Sequence, residues 1–289
     1  METILLYCKS YHKDVYRARR LAESVQRFCQ DGMPLIFSVP ARDLPLFEEK
    51  LAGLPCTIIA DEEILARTRE QYGTEKQSFP KHLYMQLTKL EFWRMGMCRN
   101  YVIIDSDAYF IRHFSRADFM SDRETPLTIR HDSSELREFA VRSGNNKILH
   151  DLENQSEKVR AWFNRPGSFY DFGPCPYIFS VKVFESLSRD YLLPNRLTMY
   201  DLLQKYAPEA YLYGEYLEHC KAIPIIPSKP LFRVFHYAEQ FFEAQMKGES
   251  EYSWAKEYLG VVIQSNWAWG PDDGNKKRGS SWLRRILGE

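Results

Sequence analysis

The chain has 289 residues, 44 % of them hydrophobic and 15 % aromatic, enough for one large α/β domain or two small ones with a sizeable core. Its 39 basic and 39 acidic residues cancel, which excludes the global basic field of a nucleic-acid binder. Six cysteines at 8, 29, 56, 98, 175 and 220 form no C-x-x-C pair, so neither a zinc site nor a disulfide framework is implied, and a reducing, cytoplasmic compartment is expected.

ILLYC (4–8) reads as a buried first strand rather than a signal peptide, because charges follow the short apolar run. After the polar KSYHKD, apolar residues recur at Val15, Ala18, Leu21, Ala22, Val25 and Phe28, the spacing of a helix. PLIFSVP (34–40) is a second strand, DLPLFEEKL a short helix and CTIIAD (56–61) a third strand. EQYGTEKQSFPKHLY is a polar loop. Leu83, Leu87, Leu90, Trp93 and Met97 then mark an amphipathic helix that leads into YVIIDSD. This alternation predicts an α/β fold with a mostly parallel central sheet flanked by helices.

Beyond residue 112 the pattern loosens. TPLTIRHD (125–132) reads as a strand and SELREFAVRSGNNKILHDLENQSEKVRAWF as helical. PYIFSVKVFESL is a strand running into a helix, TMYDLLQKYA is helical, and AIPIIP (222–227) reads as a strand. RVFHYAEQFFEAQ starts extended and becomes helical. No repeat or linker is evident. One domain is expected over residues 1–270, regular in 1–112 and irregular in 113–270, followed by a tail, 271–289. No run approaches the ~18 apolar residues of a membrane span.

The chemistry concentrates in YVIIDSDAYF, where a hydrophobic strand ends in Asp105 and Asp107. Two carboxylates at such a place repel each other and are costly to desolvate without a positive partner. A divalent metal that also holds phosphate is the simplest one, and ligands of α/β sheets gather at the carboxyl ends of strands. The bland alternative is two solvated aspartates in a turn.

The D-x-D after its strand resembles that of glycosyltransferases of the GT-A fold. More narrowly, the chain is similar to a largely uncharacterised bacterial glycosyltransferase-like family. The shared pieces are S-Y-x-x-D (Ser10, Tyr11, Asp14), Q-x-x-K (Gln86, Lys89), Y-V-I-I-D-S-D, Y-G-E-Y (Tyr213 to Tyr216), F-H-Y (Phe235 to Tyr237) and G-V-V-I-Q-S-N-W (Gly260 to Trp267). The resemblance implies a GT-A-like domain whose 1–112 half binds the nucleotide and whose 113–270 half binds the acceptor. It implies Mn²⁺ or Mg²⁺, a nucleotide-diphosphate sugar donor, and a glycan or lipid-linked glycan acceptor of bacterial surface polysaccharide. It also implies that Asp107 binds the metal and that Asp105 approaches the donor ribose or a metal-bound water. His236 is the late histidine that such enzymes add as a metal ligand, with His131 next; the alternative is a histidine packed between Phe235 and Tyr237.

Ser10, Tyr11 and Asp14 then lie near the nucleotide base, although Asp14 is equally suited to capping the helix that follows. Gln86 and Lys89 share a helix face and approach the donor, or else form a solvated face. An inverting enzyme needs a general base near the acceptor hydroxyl. Glu215, in YLYGEYLEHC, is the first candidate and Asp171, before a Gly-Pro turn, the second; a retaining enzyme needs neither.

Three other readings compete. A haloacid-dehalogenase-type phosphatase also ends a strand in D-x-D, but carries it near the N-terminus with Thr or Val where Tyr109 stands here. A nucleotidyltransferase usually has a glycine-rich loop after its first strand, which KSYHKD is not. An inactive carbohydrate-binding relative is the third. The tail sets Lys276, Lys277, Arg278, Arg284 and Arg285 beside Trp282, Leu283, Ile286 and Leu287, the composition of a peripheral anchor on an anionic membrane. A disordered or packed tail is the alternative.

Overall fold

The computed structural model describes residues 1–72, 80–205 and 209–264. In chain order the elements are β1 (Glu2–Lys9), α1 (Val15–Phe28), β2 (Leu35–Val39), α2 (Leu44–Lys50), β3 (Cys56–Ala60), α3 (Asp61–Tyr72), α4 (Lys81–Glu91), β4 (Cys98–Ile103) and β5 (Ala108–Phe110). Then come β6 (Thr128–Ile129), α5 (Ser134–Ser143), α6 (Asn146–Trp162), β7 (Tyr177–Ser180), α7 (Val181–Ser186), α8 (Met199–Lys205) and α9 (Glu209–Cys220). The last are β8 (Pro227–Ser228), β9 (Phe232–Phe235), α10 (Ala238–Met246), α11 (Glu251–Trp254) and β10 (Gly260–Ile263).

The main sheet has the order β3-β2-β1-β4-β7, parallel throughout except for the antiparallel edge strand β7. Its inner strands are apolar on both faces, as expected where helices cover both sides. Along β1 the side chains divide by the two-residue period. Leu5 and Tyr7 join the core shared with α4, α7 and α9, while Ile4, Leu6 and Cys8 join the core under α1 and α2. β4 divides likewise, with Tyr101 and Ile103 on one side and Val102 and Ile104 on the other. The mainly parallel α/β architecture expected from the alternation is the one observed.

A small sheet, β5-β10-β9, packs on the α1 side, with β10 antiparallel to β5 and parallel to β9. Gly260 opens β10 because a Cβ there would stand 2.4 Å from the Phe232 ring and 2.5 Å from the Tyr109 carbonyl oxygen. The helical stretch after Ser133 breaks into α5 and α6 at Gly144, whose φ of +66° ends the first helix.

Two sequence readings are corrected. The strand expected over AIPIIP is reduced to Pro227–Ser228 pairing with β6, since Pro224 and Pro227 lack the amide protons a ladder needs. The loop read over 70–84 loses both ends to helices, since α3 (Asp61–Tyr72) takes its first residues together with the unassigned 62–69, and α4 begins at Lys81; residues 73–79 lie outside the described residues. The membrane-anchor reading falls on residues 271–289, outside the described residues. Among the described residues no helix is long and apolar enough to cross a membrane.

Candidate functional site

The main sheet sends β1 to β2 and β3 on one side and receives β4 on the other, so chain direction across the sheet reverses between β1 and β4. In open α/β sheets the crevice beyond the carboxyl ends at such a reversal is where ligands bind. Ser10 and Tyr11 follow β1, and Asp105 and Asp107 follow β4. Both expected motifs therefore reach the same edge, on neighbouring strands paired as Tyr7 with Ile103.

Asp105 turns the chain: its carbonyl accepts from the Ala108 amide at 3.0 Å and its own amide donates to Cys175 Sγ at 3.1 Å. The Cys175 thiol in turn donates to the Ile103 carbonyl at 3.5 Å, tying the 170–176 loop to the end of β4. Burial, then the neighbouring Asp105 charge, pushes that thiol's pKa well above the usual range. The Asp105 side chain is 36 % exposed and so faces the crevice. Asp107 is buried, and its carbonyl accepts from the Ile263 amide at 3.2 Å.

Lys89, on the last turn of α4, reaches this edge with almost no contact with water. Its Nζ lies 2.7 Å from Asp105 Oδ1 and 2.9 Å from Glu209 Oε1, at the start of α9. Burial pulls the ammonium toward losing its proton, but Asp105 and Glu209 outweigh that and hold its pKa well above the ordinary lysine value. α4 is held in place from below by the Tyr101 hydroxyl, which donates to the Lys89 carbonyl at 3.2 Å. Gln86, one turn earlier, is half-buried, and its Oε1 has no hydrogen bond among the described residues.

At the end of β1 the Ser10 amide donates to the Ser38 carbonyl at 2.9 Å. Its Oγ is buried and has no hydrogen-bond partner among the described residues. Tyr11 is half-buried, extended, and edge-on to His12. Asp14 makes no side-chain cap; it accepts from Arg17 Nη1 at 2.9 Å instead. Beside them sits a pair the sequence reading passed over. Lys9 Nζ and Asp61 Oδ2 are 2.9 Å apart, and both side chains are essentially out of solvent. A strand ending directly in Asp61 was the available signal.

His236 follows β9 and is half-buried. Phe235 pairs with Ile263, whose amide bonds Asp107, so His236 and Asp107 emerge at the same edge of the small sheet with β10 between them. Two strand spacings separate Asp107 from Phe235, about 10 Å. Among the described residues no three His, Cys, Asp or Glu side chains converge to hold a metal, so His236 is not brought into one ligand set with the aspartates. Asp105 and Asp107 still fit a hard cation such as Mn²⁺ or Mg²⁺, which takes carboxylate oxygens and fills its other positions with water or phosphate oxygens.

The two candidate bases do not stand free at the crevice. Glu215 lies wholly buried in the middle of α9. Arg165 donates to both of its oxygens, through Nε to Oε2 and through Nη2 to Oε1 at 2.8 Å, and Ser156 Oγ donates to Oε1 at 2.8 Å. Burial pushes the Glu215 carboxyl upward, opposed by those donors. A carboxylate enclosed in this way is a structural ion pair and not an acceptor-facing base. Gly214 beside it lets α9 close on the loop: a Cβ there would meet the Phe172 ring at 2.2 Å.

Asp171 is buried and bound by three donors. The Gly173 amide lies 2.8 Å and the Tyr211 hydroxyl 3.0 Å from Oδ1, and Ser133 Oγ donates to Oδ2. His131, paired with Asp171 through the backbone, accepts from the Ser133 amide at Nδ1 (3.0 Å) and donates from Nε2 to the Gly173 carbonyl. Both ring nitrogens are thus spent on the protein, which removes His131 as the alternative metal ligand in this arrangement. The cluster fixes the 170–176 loop that carries Cys175 to Asp105.

No family model matches the sequence, and no curated protein matches it. Among solved structures, the chain is similar to the apo form of mouse xyloside xylosyltransferase 1. The identity is 10 % and the TM-score 0.48, over 93 % of this chain and 100 % of that one. A likeness at that level carries no argument about substrate or reaction.

Proposed function

We propose that the chain is a metal-dependent glycosyltransferase that moves a sugar from a nucleotide-diphosphate donor to a saccharide or lipid-linked glycan acceptor. One observation carries the reading: Asp105 and Asp107 leave β4 at the chain reversal beside β1, with the Lys89 ammonium against the open Asp105 carboxylate. That placement combines carboxylates for a hard cation with a fixed cation for phosphate, at the edge where such sheets bind nucleotides.

In this reading Asp107 and Asp105 hold Mn²⁺ or Mg²⁺, which when bound neutralises charge on the diphosphate that leaves. Lys89 supplies a further fixed positive charge on the same side. Ser10 and Gln86, each with a buried oxygen atom lacking a hydrogen bond among the described residues, are the groups for the nucleoside, with Tyr11 and Asp14 beside them. His236, at the neighbouring sheet edge, is left out of this ligand set. The enclosure of Glu215 and Asp171 leaves no acceptor base assigned, which favours neither inversion nor retention. A role in bacterial surface glycan assembly, at the cytoplasmic side of the membrane, rests on the family resemblance of the motifs.

The test is a panel of nucleotide sugars incubated with protein and Mn²⁺, with released nucleoside diphosphate as readout. Slow, metal-dependent hydrolysis of one donor is expected. If no donor is hydrolysed or bound with any divalent metal, the reading is wrong.

A further inference from the structure

Glu209 lies 120 residues from Lys89 in sequence and belongs to no motif, yet it shares the Lys89 ammonium with Asp105. The three groups are unequal. Lys89 and Glu209 are buried, whereas Asp105 faces the crevice. Without Glu209, Lys89 and Asp105 would form a closed pair of formal charge zero, and the ammonium would cancel the charge that Asp105 presents outward. With Glu209 behind it, the ammonium answers two carboxylates, and the triad keeps one net negative charge whose open face is Asp105. Low water content at the two inner members means this charge is weakly screened.

We infer that Glu209 is a positioning residue whose buried carboxylate offsets the Lys89 ammonium from behind, so that Asp105 retains charge for a divalent cation while Lys89 stays beside it for the phosphates. The inference rests on the glycosyltransferase reading and adds to it a residue that touches neither metal nor donor.

The triad allows a test by charge count. Taking Lys89 as +1 and each carboxylate as −1, the wild type carries −1, Glu209→Gln carries 0, Lys89→Met carries −2, and the double variant returns to −1. The probes are Mn²⁺ alone, followed by the signal of free ion, and Mn²⁺ with inorganic pyrophosphate, followed by titration calorimetry on the full chain. Glu209→Gln is expected to weaken Mn²⁺ binding about tenfold, and Lys89→Met to strengthen it. The double variant should return Mn²⁺ binding to near the wild-type value while pyrophosphate binding stays weak, because the phosphate-facing cation is gone. Glu209→Asp, which keeps the charge, should recover most of the Mn²⁺ affinity. Thermal melting separates this from a purely structural role, which would lower stability without ordering Mn²⁺ affinity by charge.

A folded Glu209→Gln protein with wild-type Mn²⁺ affinity overturns the inference and leaves the glycosyltransferase reading intact. A wild-type protein that binds neither probe removes both. A double variant as weak as Glu209→Gln overturns the charge argument, since the deficit would then not come from the uncompensated ammonium.

Discussion

Glu215→Gln removes one charge from a pair that has almost no access to water. The Glu215 side chain is 0 % exposed and that of Arg165 5 %. Glutamine keeps one acceptor oxygen, but its NH₂ group meets an Arg165 N–H, donor against donor, and the guanidinium loses its counter-charge. Removing one partner of a buried pair costs about 3–5 kcal/mol, because the other charge stays buried and uncompensated. Arg165 also donates to the carbonyls of Pro166 at 3.1 Å and Ser168 at 2.9 Å, so the turn it pins loosens too. At roughly 2 °C or more per kcal/mol for a large domain, the melting temperature should fall by roughly 6–10 °C. Calorimetry measures the melt, and Mn²⁺-dependent nucleotide binding well below it should be close to wild type. Arg165→Met with Glu215→Leu, which removes both charges, should recover much of the loss. A Glu215→Gln protein that melts within about 1 °C of wild type but has lost turnover would refute the reasoning and return Glu215 to the role of base.

Lys9→Met should destabilise by about 3–5 kcal/mol, read from the urea midpoint, because Asp61 is left buried without its cation. Burial already pushes the Asp61 carboxyl up against the pull of Lys9. A raised folded-state pKa means the native state holds the proton more tightly, so the variant should be most stable below the unfolded carboxyl pKa and lose stability as pH rises through the folded one; a loss that is flat with pH would contradict this. Gly214→Ala drives a methyl into the Phe172 ring and should cost about 1–3 kcal/mol in thermal melting, an unchanged melt being the contrary result. Burial pushes the Cys56 thiol up to about 11. Its alkylation, followed by peptide mass spectrometry, should therefore accelerate about tenfold per pH unit from pH 8 to about 10, where a plateau below about 9 would count against it.

The parallel sheet was legible because strands buried on both faces read as unbroken apolar runs: LIFSV, and YVII ending abruptly in Asp105. That abrupt ending also marked the candidate site. α3 was passed over because in DEEILARTREQY the core-facing residues are few and three acidic side chains open the helix. Glu215 in YLYGEYLEHC was read as the candidate base, whereas Gly214 beside it sits inside α9 to let Phe172 approach and Glu215 is buried. What could not be read were pairings across long separations: Glu215 with Arg165 fifty residues away, Asp171 with Tyr211 forty residues away, Glu209 with Lys89. Sequence spacing gives the face of an element but not the charge that meets it from another element.

The central claim is that Asp105 and Asp107 form a cation-dependent nucleotide site. Calorimetric titration of nucleoside diphosphates into wild-type and Asp107→Ala protein, each with and without Mn²⁺, tests it most directly. The account predicts that one nucleoside diphosphate binds the wild type only with Mn²⁺, and that Asp107→Ala keeps the wild-type melting curve but loses this binding by a hundredfold or more, about 2.7 kcal/mol. Asp107→Ala binding the same nucleotide with undiminished, Mn²⁺-dependent affinity would contradict it.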